Sequence, residues 1–499
     1  MKKLLSFSTM LLCTSMVAQN MVQTYPAPEG APMKDDYLVE VRTPEGEWQK
    51  VDTYMVLVDE VTGVSHHNEE ASMAYFDFEG QVEVRVTCRE QEIRESRIRP
   101  LSSGVVGKSI DSQTLTFLLE APCNLSVEIN GDIYHNLHLF ANPIDPNNPL
   151  LDKKRMKRDK SLVYIAPGYY NRDDKDPIRA ESGKTYYVAG GAYIHGGILI
   201  DGAENVKVLG RGILRPTREA GVRVSRSKHV EVEGVIVTQC PVGESDDVTI
   251  CNVKSITNYG WGDGMNIFAS SNILFDGVFC RNSDDCTTVY ATRMGYVGSA
   301  RNITIQNSVL WADVAHAVEI GLHGAASYEV DVKSRNLPYT QDPAVVTQRI
   351  DTIENLRYRN LDIFGQLERQ VDYQGCLAIT CGDNNVVRDV VFEDIRIDDI
   401  RIGQMLTIRI LHNQKYCQQP GLCIEDITFR NLTYTGRPPE HSIIAGFNEQ
   451  RKVRGITFEN LVINGTRISD DMPGKPKWYK TADMARFFVG DHVENLVFK

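Results

Sequence analysis

Two adjacent carboxylates, Asp284 and Asp285, close the run N-I-L-F-D-G-V-F-C-R-N-S-D-D-C (Asn272 to Cys286). Like charges side by side raise the cost of ionising one another, which separates their titrations. The dipeptide D-D occurs six times, beginning at Asp35, Asp173, Asp246, Asp284, Asp398 and Asp470, and on its own it marks a solvated turn. Asp263, in G-W-G-D-G-M-N-I, sets the pair at Asp284 apart, because it lies 21 residues earlier. If that distance is one winding of a coiled chain, the three carboxylates converge, since stacked strands lie ~4.8 Å apart. One proton held among three acids supplies a protonated carboxyl for a leaving oxygen and a carboxylate to activate water, as glycosidic cleavage requires. One winding further, W-A-D-V-A-H-A-V-E-I-G-L-H-G (Trp311 to Gly324) brings His316, Glu319 and His323, and His316 there would tune the acid or bind a sugar hydroxyl.

Such convergence needs elements that bring residues one repeat apart onto one face. From about residue 200 a short pattern recurs ten times: E-N-V-K-V-L-G, K-H-V-E-V-E-G, D-D-V-T-I-C-N, S-N-I-L-F-D-G, R-N-I-T-I-Q-N, E-N-L-R-Y-R-N, R-D-V-V-F-E-D, E-D-I-T-F-R-N, R-G-I-T-F-E-N and E-N-L-V-F-K. Its central apolar residues are Val206, Val230, Val248, Ile273, Ile303, Leu356, Val390, Ile427, Ile456 and Leu496, spaced 18 to 53 residues apart. Short alternating strands at this period, broken by Gly, Asn and Asp and almost free of helical patterning, predict a β-solenoid of two or three parallel strands per coil. A propeller or an array of β-sandwiches has longer and more regular repeats. L-V-Y-I-A-P-G-Y-Y (Leu162 to Tyr170) and T-Y-Y-V-A-G-G-A-Y-I-H-G-G (Thr185 to Gly197) look like the first coils, and Ala326 to Pro343 like an insertion on one face.

Ahead of them, Y-L-V-E-V-R, T-Y-M-V-L-V, Q-V-E-V-R-V, T-L-T-F-L-L and L-S-V-E-I-N-G alternate like antiparallel strands of a separate β-sandwich, and A-N-P-I-D-P-N-N-P reads as the linker. The first residues carry Lys2 and Lys3, an apolar run and small residues near Ala18, the pattern of a secretory signal. Leu12 ahead of Cys13 is too bulky for lipoprotein processing. The expected organisation is therefore a signal peptide at 1–20, an N-terminal β-sandwich at 21–150 and a parallel β-helix at 151–499. The expected product is a secreted or periplasmic chain.

No later stretch approaches the ~20 apolar residues of a membrane span. The formal net charge of -12, more negative still without Lys2 and Lys3, argues against nucleic acid. The expected partner is a polysaccharide or oligosaccharide substrate, with a monomeric protein and no cofactor or metal. Ten cysteines follow Cys13, too few to supply most of the stability. Cys417/Cys423 and Cys240/Cys251 are close enough in sequence to bridge, and small buried hydrophobes are the other reading. Sequons occur at Asn124, Asn302, Asn431 and Asn464; three lie in the ladder or beside it and reflect its Asn/Thr-rich turns rather than glycosylation.

W-G-D-G-M-N-I, N-S-D-D-C and A-H-A-V-E-I-G resemble the successive motifs N-T-D, G-D-D-C and G-H-G-x-S-I-G of the polygalacturonase-type glycoside hydrolases of family 28. The resemblance spans roughly residues 160 to 499. It implies an all-β, right-handed parallel β-helix and hydrolysis with inversion, with Asp284 as general acid, Asp263 and Asp285 holding the water, and His316 as the motif histidine. A β-sandwich ahead of the helix, with A-P-G-Y-Y and A-G-G-A-Y, is similar to the dextranase and isopullulanase group of family 49. Gly262 and Ser283 replace the usual Thr and Gly beside the aspartates. The R-I-K motif that holds a galacturonate carboxylate has only C-L-A-I-T (Cys376 to Thr380) as its counterpart, which weakens a galacturonan substrate. The candidate substrate-binding residues are Arg293, Tyr290, Glu319, His323 and Arg409. Two other readings are a non-catalytic carbohydrate-binding solenoid and a polysaccharide lyase on the same fold.

Overall fold

The computed structural model describes residues 20–63, 65–172 and 174–499; the signal-peptide expectation falls almost wholly on residues 1–19, outside them. From Leu162 to Phe498 the chain winds as a right-handed parallel β-helix. Each coil covers three faces; from Ala300–Ala312 onward one long strand spans the first two of them in most coils. The first face runs from Leu162–Ile165 to Val493–Phe498, and the second begins with Gly168–Asn171. The third is an 11-stranded parallel sheet that includes Met265–Phe268, Thr287–Tyr290, Val318–Ile320, Leu377–Cys381 and Leu406–Ile410.

The ten apolar residues at the centre of the sequence repeat form one unbroken column on the first face. Val206 pairs with Val230, Val230 with Val248, Val248 with Ile273, and Ile273 with Ile303. The column continues through Leu356, Val390, Ile427 and Ile456 to Leu496. Two residues along, Tyr358, Phe392, Phe429, Phe458 and Phe498 stack with centroids 4.7 to 5.0 Å apart. That separation is the strand spacing itself, so parallel in-register pairing dictates the ring stack. Replacing Phe429 by Ala should lower unfolding stability by about 3–5 kcal/mol, because neighbours held by the ladder cannot collapse into the hole. Urea denaturation of the variant measures it.

The polar residue ahead of each central position has its own cause. Asn205, His229, Asp247, Asn272, Asn302, Asn355, Asp389, Asp426 and Asn495 all have φ between 54° and 57°, and Gly455 fills the remaining place at 68°. Each coil kinks there through the left-handed region, which Asn and Asp tolerate best among non-glycine residues. The side chains then form a ladder: the Asn302 amide donates to Asn272 at 3.0 Å and the Asn355 amide to Asn302 at 2.8 Å. Asn431 donates to Asp394 at 2.7 Å in a second such row. The sequon asparagines Asn302 and Asn431 therefore belong to the turns.

The N-terminal residues form two facing sheets with a common apolar core. Four of the expected strands appear at Tyr37–Arg42, Val82–Cys88, Thr114–Leu119 and Cys123–Ile129, and the fifth lengthens to Tyr54–Thr62. Pairing is not antiparallel throughout, because Leu137–Pro143 runs parallel to the long strand Ser65–Glu79. Ala141 to Pro143, read as linker, belong to that strand. Tyr54, Met73, Tyr75 and Phe140 pack against Tyr193, Ile236, Phe279 and Trp311 and cover the second face of the helix. Buried arginines cross this junction. Arg281 is paired with Asp313 at 2.9 Å, donates to Asn136 at 2.7 Å and lies 3.8 Å over the Trp311 ring. Arg211 pairs with Asp77 at 3.0 Å and Glu233 at 2.9 Å. All ten cysteines among the described residues are free thiols, most of them buried. The expected pairs Cys417/Cys423 and Cys240/Cys251 are therefore not bridges, and these residues pack as small hydrophobes.

Candidate active site

The aspartates sit where the second face turns into the third. This turn has four residues at 238–241, eight at 257–264 and four again at 283–286. The long middle turn is sewn onto the next coil. Asn282 Nδ2 and Ser283 N–H donate to Thr257 Oγ1 at 3.0 and 3.1 Å, Thr257 Oγ1 donates to Gly262 O, and Ser283 Oγ donates to Tyr259 O at 2.5 Å. A Cβ on Gly262 would lie 2.3 Å from Ser283 Oγ, and one on Gly264 2.3 Å from Asn282 Oδ1. These contacts account for Gly262 and Ser283 beside the acids. The two coils approach too closely there for a side chain on the first, and the serine supplies the hydrogen bond.

On the third face Met265 pairs with Thr287, and Thr287 with Val318. Asp263, Asp285 and His316 each stand two residues ahead of those positions, and the bonds Gly264 N–H to Asp285 O (2.8 Å) and Cys286 N–H to His316 O (2.9 Å) carry the register to them. One winding therefore stacks Asp263 on Asp285 and Asp285 on His316. Asp284, next in the turn, completes the group.

The four side chains differ in what surrounds them. Asp285 is buried, and its acceptor positions are taken. Oδ1 accepts from His316 N–H at 3.1 Å and from His316 Nδ1 at 2.6 Å, while Oδ2 accepts long bonds from the Tyr290 and Tyr373 hydroxyls at 3.3 and 3.4 Å. His316, also buried, donates from Nε2 to the Tyr373 carbonyl at 2.6 Å and meets the Tyr373 ring edge-on. Both ring nitrogens thus face acceptors, which needs the doubly protonated imidazolium. Burial works against that charge, but the Asp285 carboxylate outweighs it and lifts the imidazole to about 10.

Asp263 and Asp284 are enclosed by dense protein yet keep some solvent-facing surface. Burial, and then the Asp285 charge, push Asp263 up to about 7 against the pull of an Asn266 amide bond at 2.6 Å. Burial, then Asp263 and Asp285, raise Asp284 well above the ordinary carboxylate range.

The other candidates are more scattered. Tyr290 lies in the group through its bond to Asp285. Glu319 is fully buried behind His316, 3.9 Å from Nε2, and takes a bond from the Thr380 hydroxyl. It has no surface for a substrate, and burial pushes it up to about 8. His323 donates to Tyr416 O at 2.9 Å and meets the Tyr290 ring edge-on at 5.0 Å. Burial depresses its basicity. Arg293 pairs at 2.6 Å with Asp331, in the helix Tyr328–Ser334 of the inserted segment, and so ties that insertion to the coil of the aspartates. Arg409 stands apart, in register with Thr380 on a later coil, in a depression with His412 and Phe447, 3.8 Å from Asp372. A second depression, lined by Arg172, His195 and Arg218, lies on earlier coils, so the aspartates fall between the two along the helix axis. Sequence reasoning missed Tyr373, which is 57 residues from the histidine that it caps. No spacing could have signalled it. Among the described residues no cluster of three or more His, Cys, Asp or Glu side chains could hold a metal ion, and no helix is long and apolar enough to cross a membrane.

Neither a family model nor a curated protein matches the sequence. Solved structures do. Dex49A from Penicillium minioluteum superposes with a TM-score of 0.55 at 13% identity, covering 96% of this chain and 96% of that one. A family 28 exopolygalacturonase of Yersinia enterocolitica gives 0.45 at 12% identity over 84% of this chain and 96% of that one. A hyperthermoactive exopolygalacturonase of Thermotoga maritima gives 0.45 at 13% over 63% and 86%. The likeness to Dex49A shows a shared fold over nearly the whole of both chains, N-terminal sandwich included.

Proposed function

We propose that this chain is an exported glycoside hydrolase that cleaves a polysaccharide or oligosaccharide with inversion, without a cofactor. The observation that carries the reading is the stacking of Asp263, Asp285 and His316 on successive coils beside Asp284. Asp284, held protonated in a partly open position, gives its proton to the leaving glycosidic oxygen. Asp263 takes a proton from the water that attacks the opposite face of the sugar. Asp285, expected from the sequence to share that water, has no acceptor left for it. Paired with His316, it serves as a fixed negative charge that keeps the proton on Asp284 and faces the positive charge developing on the sugar ring.

Release of reducing ends over a panel of neutral and acidic polysaccharides, with the anomer of the product followed by NMR, tests the proposal. Binding without release across the panel would leave a non-catalytic solenoid. The pH profile follows from the site. The group lifted to about 7, Asp263, is an active base only when ionised, so kcat/KM should rise with pH through about 7 and fall again where Asp284 loses its proton. The Asp263→Asn variant should lose most of its activity, and whatever remains should lack the acid limb.

A further inference from the structure

Trp261 is 86% exposed, the largest exposed fraction of any bulky hydrophobic side chain among the described residues. A single exposed apolar side chain is ordinary; this one combines four features. Its backbone is left-handed at φ 61°, a conformation that costs any residue with a β-carbon and is seldom adopted by tryptophan. It stands two residues before Asp263. It lies in the eight-residue turn 257–264, twice the length of the four-residue turn 283–286 that carries Asp284 and to which the longer turn is bonded. And that turn is rigid, because Ser283, the neighbour of Asp284, holds Tyr259 O at 2.5 Å, Tyr259 reaches Arg218 O at 3.3 Å, and the Asn258 amide reaches Asn68 of the sandwich at 3.2 Å. Trp478, almost as exposed, lies far along the chain without any of these ties. Here a strained backbone keeps an apolar ring in water beside a pair of acids, and the fold gains nothing from it. Strain retained under such conditions points to use.

We propose that the indole of Trp261 is the stacking platform for a pyranose ring next to the scissile bond, and therefore a specificity-determining residue of the hydrolase proposed above. Its flat face would take the C–H face of the sugar, while the polar edge of the ring stays free for hydrogen bonds. The inference rests on that hydrolase reading, and the test separates the two. Glycine is the informative substitution, because it removes the ring and the backbone strain together. Trp261→Gly should lower kcat/KM on the cleaved glycan by about tenfold or more, mostly through KM. It should melt no lower than the wild type, and Trp261→Phe should recover part of the loss. In gels cast with dextran or polygalacturonate, the wild type and Asp284→Asn should be retarded and Trp261→Gly should not. Unchanged kcat/KM in Trp261→Gly, or a loss with a lowered melting temperature that Phe fails to repair, overturns the platform while the hydrolase reading stands. Retardation that depends on Trp261 in a wild type that releases no reducing ends supports the platform and sinks the hydrolase. A wild type that neither cleaves nor is retarded overturns the platform.

Discussion

Asp284→Asn is expected to reduce kcat by roughly a hundred- to ten-thousand-fold, the range over which a positioned proton donor acts, while sugar binding persists. The amide keeps the shape and burial of the carboxyl and still accepts the Asp285 N–H that Asp284 Oδ1 receives at 3.0 Å, so the turn is retained. Its effect on stability has the opposite sign. A carboxyl whose titration is raised by folding stabilises fully below its unfolded value and loses that contribution as pH rises. Asp284 is raised by burial and by its two acidic neighbours, so at neutral pH and above the variant should be at least as stable as the wild type. Initial rates on the best glycan, together with urea unfolding at several pH values, check both halves. Near-normal turnover would remove Asp284 from the chemistry.

His316→Ala should act on stability as well as rate. Removing one partner of a buried ion pair costs about 3–5 kcal/mol, because the other charge is left in a poorly solvated site, and Asp285 would keep only the backbone N–H of residue 316 and its long bonds to Tyr290 and Tyr373. The Asp285 charge, the second cause of the raised Asp263 titration, then lacks its counter-charge, so the acid limb of the residual activity should move. In the wild type, His316 is lifted from 6.5 to about 10. Its contribution is complete below about pH 6.5 and is lost as pH approaches about 10, a slope that the variant should lack. Unfolding curves from pH 6 upward and a pH–rate profile measure the two effects. A variant of wild-type stability with an unmoved limb would show that the ion pair is not what holds Asp285.

Much of this fold can be read directly from the residues. All ten central positions of the repeat fall in one column because parallel stacking repeats a single environment, and the sequence answers with a single residue class. The polar residue ahead of each was legible as a turn but not as a left-handed kink, since His229 gives no hint of what Asn272 suggests. The Asp263/Asp284 spacing was readable for the same reason: one coil of regular length separates them. Regularity ends at the insertions, and so did the reading. Tyr373 caps His316 from a loop whose length follows no repeat. Glu319, one position of a familiar-looking motif, alternates with the core residues Val318 and Ile320 and so lies on the outer side of the sheet, yet it is fully buried there against His316 and Thr380. The strand Ser65–Glu79 escaped notice because its first half, S-H-H-N-E-E, is polar and exposed and only the second half is packed.

Arg281 links the front module to the chemistry. It lies in the strand Phe279–Asn282, three residues before Asp284, and its guanidinium is shared between Asp313 of the next coil and Asn136 of the sandwich. The strand that leads to Asp284, the proposed proton donor, is therefore braced in part by the N-terminal sandwich. Coils excised at residue 151 would keep Asp313 as the partner of Arg281 but lose Asn136 and the apolar cover of the second face, so the two modules have to be inherited, expressed and engineered as a single piece.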